Sequence, residues 1–260
     1  MDELRTFVFG KGSHGSREDG MCFMEHEALL GGYNHSDNHK TACPVCRPLF
    51  IWLNDSCKDD GALRCELLSP FVLRTLGSKG SRSIQQQRAY MAADWAVRFV
   101  CPILFRRAGL VKEAATLESL AEINSKDAAL AADAAAYAAA DAATHAAADA
   151  AAHAARPRLT RRLARATRAA AHAAHAARAA HAGRAAHAAG RAAHAAAHAT
   201  RAAHATRAAR AADDLEIVQR SLAALLDKMI RLTEPQERAC GNVRSEFRET
   251  TTGAGQPVKV

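Results

Sequence analysis

The sequence predicts an all-α protein, and three observations carry that expectation. Apolar residues at helical spacing, bounded by Gly or Pro, recur through the first half of the 260-residue chain. From about residue 127 to 212 the chain is mostly alanine, the best helix former of all residues. Only one run, RTFVFG (5–10), has the composition of a strand. The expected order is a small helical head (1–123), an Ala/Asp helix (124–155) and a basic Ala/Arg/His helix (156–212). An amphipathic helix (213–234) and a disordered tail (235–260) follow. The two alanine tracts form either one rod or a helical hairpin folded at Pro157.

In the head, CFMEHEALL (22–30) stops at Gly31-Gly32, a helix end. PVCRPLFIWLND (44–55) starts on Pro44, where a missing N–H does no harm. GALRCELL (61–68) and PFVLRTLG (70–77) are separate helices divided by Ser69-Pro70. SIQQQRAYMAADWAVRFV (83–100) sets Ala92, Trp95, Ala96 and Phe99 on one face, which predicts a core face. LVKEAATLESLAEI (110–123) closes the head. Both tryptophans and seven of the eight phenylalanines precede residue 106, so the large apolar weight lies here.

Gly20, Cys22, Met24-Glu25, His35-Ser36-Asp37, Pro44-Val45 and Asn54-Asp55 together resemble a family of uncharacterised bacterial proteins. The resemblance implies a helical head joined to an alanine-rich middle and a final helix like LLDKMI (225–230), and it implies no activity. It also implies that Cys43 and Cys46 are not both kept across the family.

Three candidate sites arise in the head. GKGSHGS (10–16) has the Gly10/Gly15 spacing of a phosphate loop, but Ser16-Arg17 stands where that loop requires Lys and Ser/Thr, so a glycine turn is the better reading. His35, His39, Cys43 and Cys46 form H-x3-H-x3-C-x2-C, a candidate zinc set of two imidazoles and two thiolates. The same cysteines also read as a redox dithiol, or as plain structure with Cys46 in the core. Glu25, Asp37 and Asp55 are polar residues that could gather at one site or serve as caps and buried hydrogen-bond partners. No nucleophile–base spacing is present, so catalysis is not predicted.

In the middle, Asp133, Tyr137, Asp141, His145, Asp149 and His153 recur every fourth residue, which places neighbours on one face and pairs Asp141 with His145 and Asp149 with His153. Asn124 is the expected cap. Beyond Pro157 the long side chains are nearly all cationic: Arg156, Arg158, Arg161, Arg162, Arg165, Arg168, Arg178, Arg184, Arg191, Arg201, Arg207 and Arg210. Without those twelve, 23 basic residues face 27 acidic ones, so they are the source of the net charge of +8. No Leu, Ile, Val, Met, Phe, Tyr or Trp occurs between 164 and 214, which predicts a solvated helix about 80 Å long with no core of its own. The expected partner is an anionic polymer, chiefly nucleic acid, bound without sequence preference by those arginines. Histidines 172, 175, 181, 187, 194, 198 and 204 are expected to strengthen the grip as pH falls. The competing reading makes the tract a spacer beside a zinc-stabilised head that acts as a protein-binding or catalytic module.

Leu215, Val218, Leu222, Leu225, Met229 and Leu232 form an apolar stripe, capped at Asp213 or Asp214 and stopped by Pro235. It is expected to dock on the head or to mediate self-association through 213–234. The acidic opening MDELRTFVFGKG lacks a signal-peptide core and no run reaches membrane-span length, so a cytoplasmic protein with no membrane partner is expected. Seven scattered cysteines suit a reducing compartment.

Overall fold

The computed structural model describes residues 7–57, 61–152, 157–204 and 209–233. It is all-α, with no strand among the described residues. Residues 7–10 of the run expected as a strand are extended, but they pair with no neighbouring strand. The head carries α1 (Phe23–Leu30), α2 (Cys46–Ser56), α3 (Ala62–Leu68), α4 (Arg82–Asp94), α5 (Cys101–Ala108) and α6 (Val111–Glu118).

Two head segments depart from expectation. Residues 70–77 form no α-helix; after a short 3-10 turn at Ser69–Phe71 the chain reverses with Leu73 at φ 68°. That strained residue is held because its N–H donates to the buried Glu27 carboxyl at 3.0 Å. The helix expected to end at Val100 runs on into α5 through a π-helical turn, Trp95–Val100. Pro102 has no N–H to donate back to the preceding turn and its ring crowds that turn, so the backbone widens there. The widened turn rotates the apolar face. Ala92, Trp95 and Ala96 stay buried, Phe99 is exposed, and Val97 and Val100 are buried in its place.

The alanine-rich middle is not a solvated rod. It forms α7 (Lys126–Ala152), α8 (Pro157–His181) and α9 (Ala185–His204), the last two separated at Gly183, whose φ of 72° ends α8 in the left-handed region. Ser125, not Asn124, caps α7 by accepting from the Ala128 N–H at 3.2 Å. Three links fix α7 against α8: Lys126 O to His181, Asp133 to Arg178, and Tyr137 to His175. Their numbers rise on one helix as they fall on the other, so α7 and α8 run antiparallel. α8 also packs on α4, α5, α9 and the π turn. Ala166, Ala169, Ala170, Ala173, Ala174 and Ala177 of α8 are all fully buried. Lack of large side chains prevents a self-standing core, but methyl-only faces let backbones approach closely, and the head supplies the second surface.

α10 (Ala209–Arg231) starts earlier than expected, and Asp214 pairs with Arg107 of α5 rather than capping it. Its stripe is buried at Leu215, Val218, Leu222, Leu226, Met229 and Ile230. Leu226 replaces the expected Leu225, which is only half-buried. The stripe lies on α2, α3, α4 and α9, so its buried residues are covered within the chain. Pro235 and the tail lie outside the described residues. No described helix is long and apolar enough to cross a membrane.

Candidate functional site

Residues far apart in the sequence converge beside the N-terminus of α1. Glu25, 2% exposed, accepts hydrogen bonds from the Cys22 N–H at 2.8 Å, the His14 N–H at 2.8 Å and the His14 ring Nδ1 at 2.9 Å. Burial acts to raise its pKa, but those donors prevail and hold the carboxyl below its ordinary range. His35 reaches the same place, with Nε2 at 3.0 Å from the His14 carbonyl and 3.8 Å from Glu25. Glu25 thus caps α1 and pins the 10–22 loop onto it.

The His14 ring explains two glycines. A Cβ on Gly10 would sit 2.6 Å from its Nε2, and one on Gly20 would sit 3.3 Å away at φ +110°. Asn54 on α2 closes the other side, donating to the Gly10 carbonyl at 2.9 Å and to Asp55 at 2.9 Å while accepting from the Phe23 N–H at 3.2 Å. Asp55 accepts from the Gly12 N–H at 2.8 Å. Loop N–H groups that would cradle a phosphate are therefore directed at carboxylates of the same chain, which argues against the phosphate-loop reading.

Asp37 and Asp55 line one cavity of about 140 Å³ with Ser13, Cys22, Met24 and Ile51, and Glu25 accepts from the N–H of the lining Cys22. Of the three carboxylates, Asp37 and Asp55 share this cavity, and Glu25 anchors the loop without lining it. His14 is the participant that residue spacing missed. Its signal was a histidine inside a glycine-rich loop.

The four residues of the zinc reading do not converge. His39 stacks on Tyr33 at 5.6 Å between ring centroids and meets Thr41 at 3.2 Å; His35 faces Glu25; Cys43 and Cys46 are buried at the start of α2. Among the described residues no group of three His, Cys, Asp or Glu is arranged to hold a metal ion. The Cys46 thiol beside Cys43 lowers the pKa of Cys43 to about 6 against the opposing effect of burial, while that of Cys46 is raised. Elsewhere burial dominates: it pushes the thiols of Cys22 and Cys101 up to about 12 and the Glu27 carboxyl up to about 7.

Two buried arginines clamp the head. Arg64 donates to the carbonyls of Asn54, Phe9 and Cys57, and Arg88 to those of Met229 and Ser78 and to Thr233 Oγ1. Each thereby satisfies carbonyls at a helix C-terminus, α2 for Arg64 and α10 for Arg88.

The second candidate site is on α8. Arg161, Arg165 and Arg168, with His172, follow a 4-3-4 spacing that keeps them within a wedge of about 60°, with Arg162 alongside. Arg161, Arg162 and Arg168 are exposed and Arg165 is half-buried; none makes an ion pair among the described residues. Burial, then Arg161 and Arg168, lowers the Arg165 pKa, so these cations repel one another.

Further along, the polar groups are engaged. Arg178 pairs with Asp133 at 3.0 Å and lies 4.8 Å over the Tyr137 ring. Arg191 of α9 meets His187 and His172, each at 3.4 Å, while Arg184 is exposed. On α7, His145 lies 3.6 Å from Asp141, as the four-residue spacing implies; the pair of Asp149 with His153 lies outside the described residues. Arg156 and Arg207 lie outside the described residues too, as do the side chains of Arg158, Arg201 and Arg210.

The histidines are not a uniform set of free imidazoles. Burial and then neighbouring arginines lower the pKa of His175 and His187, and His198 is buried. His172 lies 5.2 Å from His194 and 5.4 Å from His198 between ring centroids. At His175 and His187 an acid-dependent gain in charge therefore begins at lower pH than free imidazole would give. No family model, curated protein or solved structure matches this chain.

Proposed function

We propose that this is a non-enzymatic protein that binds an anionic polymer, nucleic acid foremost, through Arg161, Arg162, Arg165 and Arg168 on α8. One observation carries the reading: four like charges crowd the outer side of a helix whose other sides are packed, with no carboxylate partner among the described residues. Like charges at four-residue spacing oppose helix formation, and the N-terminal half of a helix adds a positive dipole. A polyanion relieves both. From Arg161 to Arg168 the helix rises about 10 Å, a length over which duplex DNA presents about six charges. The stripe therefore contacts a few phosphates, not the dozen expected of a continuous rod. No side chain on it is singled out as a reader of bases, so binding is sequence-blind.

Substitution is the right test, because deleting 156–212 would remove α8 and α9 from the packed interior. The full-length protein is titrated into a fluorescently labelled 20-base-pair duplex, followed by anisotropy. The R161Q/R165Q/R168Q variant is expected to bind at least tenfold more weakly, and R184Q close to wild type. Equal affinity of the triple variant and wild type would overturn the reading.

A further inference from the structure

The cavity between the 10–22 loop and α2 has a chemistry unrelated to the arginine stripe. Its volume of about 140 Å³ is far more than a bare ion needs and well below a drug-sized site. A dry engineered cavity of about 150 Å³ accommodates benzene, so this one takes a ligand of about six non-hydrogen atoms.

One part of the wall is apolar, formed by Met24, Ile51 and Cys22, and the burial-raised pKa of Cys22 keeps it a neutral thiol. Two carboxylates, Asp37 and Asp55, and Ser13 form the rest of the lining with Gly12 and Asn54. Asp55 is held in place by the Gly12 N–H and the Asn54 amide, both on its Oδ1. Asp37 is nearer solvent, with Arg47 at 4.0 Å. A third carboxylate, Glu25, accepts from the N–H of the lining Cys22. A metal ion would leave the apolar wall without a role, and no third ligand is arranged for one. An anion would face Asp37 and Asp55, with the neighbouring Arg47 turned to Asp37. A cation with a hydrocarbon body uses both parts of the wall.

We propose that this cavity binds a small primary alkylammonium, its ammonium group held by Asp37, Asp55 and Ser13 and its chain laid against Met24 and Ile51. The ammonium has three donors, matching two carboxylates and a hydroxyl. Burial of the chain supplies the remainder, and a chain of about four carbons fills the volume.

The probe is n-butylammonium chloride, titrated into the full-length protein and followed by backbone amide chemical shifts, with n-butanol as a neutral probe of the same shape. Saturable binding in the millimolar range or tighter is expected, with the largest shifts at Gly12, Ser13 and Asp55. Butanol is expected to bind at least tenfold more weakly. Asp37→Asn weakens butylammonium roughly tenfold or more, since one charge-assisted hydrogen bond becomes neutral, and this half-exposed position leaves the fold intact. Asp55→Asn keeps the acceptor that Gly12 uses and is expected to weaken binding by a similar factor. R161Q/R165Q/R168Q leaves amine binding unchanged, which separates this site from the stripe. The proposal is overturned by absence of saturable shifts up to 100 mM, by equal binding of butanol, by an unchanged affinity in Asp37→Asn, or by shifts confined to residues outside the cavity.

Discussion

The two halves of α8 are built from the same few residue types and behave differently. Towards its C-terminus, Arg178, His175 and His181 each meet a group on α7: Asp133, Tyr137 and the Lys126 carbonyl. Towards its N-terminus, Arg161, Arg162, Arg165 and Arg168 have no such counterpart among the described residues. Most alanines of both halves are buried. Net charge alone therefore misstates where the protein is cationic. Much of the described tract is scaffold, and four of its described arginines share one short stripe.

The largest effect comes from testing the scaffold. Ala173→Leu, at a fully buried position of α8, is expected to destabilise the protein by about 3 kcal/mol, measured by urea unfolding, whereas Ala186→Leu on the exposed side of α9 is close to neutral. Equal tolerance at both positions would return the tract to a solvated helix. Next is Glu25→Gln, which leaves one acceptor where three donors converge; a loss of about 2 kcal/mol is expected at neutral pH. Because the folded pKa of Glu25 is depressed, its contribution is present above the ordinary carboxylate range and is lost as pH falls through the folded value. The wild-type advantage should therefore shrink in acid.

Glu27 has the opposite sign. With its folded pKa raised to about 7, its stabilising state is the protonated one, fully present below the ordinary carboxylate pKa and lost as pH rises towards 7. Glu27→Gln mimics the protonated form and is expected to gain roughly 1–2 kcal/mol at pH 8, with a flatter dependence of stability on pH between 5 and 7. A steeper dependence would contradict the assignment. The smallest effect belongs to the link that distinguishes the two halves of α8. Arg178 is half-exposed but Asp133 is buried, so Asp133→Asn removes a buried charge together with its ion pair and should shift the melting temperature only modestly, while raising polyanion affinity by freeing one arginine.

Much of the fold was legible from residues alone. Gly31-Gly32 ended α1, Pro44 preceded α2 and the Leu215–Met229 spacing marked α10, because each acts within a few residues of itself. The failures were non-local. Phe99 was misplaced because Pro102 widens the turn before it, and residues 70–77 lost their helix to a bond from Glu27, far away in the sequence. The alanine tract was read as solvated because area arguments count large side chains, whereas its burial depends on how closely backbones approach. At the head cavity, Glu25, Asp37 and Asp55 were legible as residues. Their geometry was not, since it depends on His14 fitting between Gly10 and Gly20. The zinc set shows the same limit: spacing placed four ligand types close together, and among the described residues packing turns them in different directions.

The most direct test of the central claim is the salt dependence of duplex DNA binding by the full-length protein and by R161Q/R165Q/R168Q. The logarithm of the wild-type affinity is expected to fall against the logarithm of salt concentration with a slope of about −3 to −4. The triple variant should lose between two and three units of that slope, at about 0.9 per phosphate contact. Identical slopes for the two proteins, or a wild-type affinity indifferent to salt between 50 and 300 mM, would contradict it.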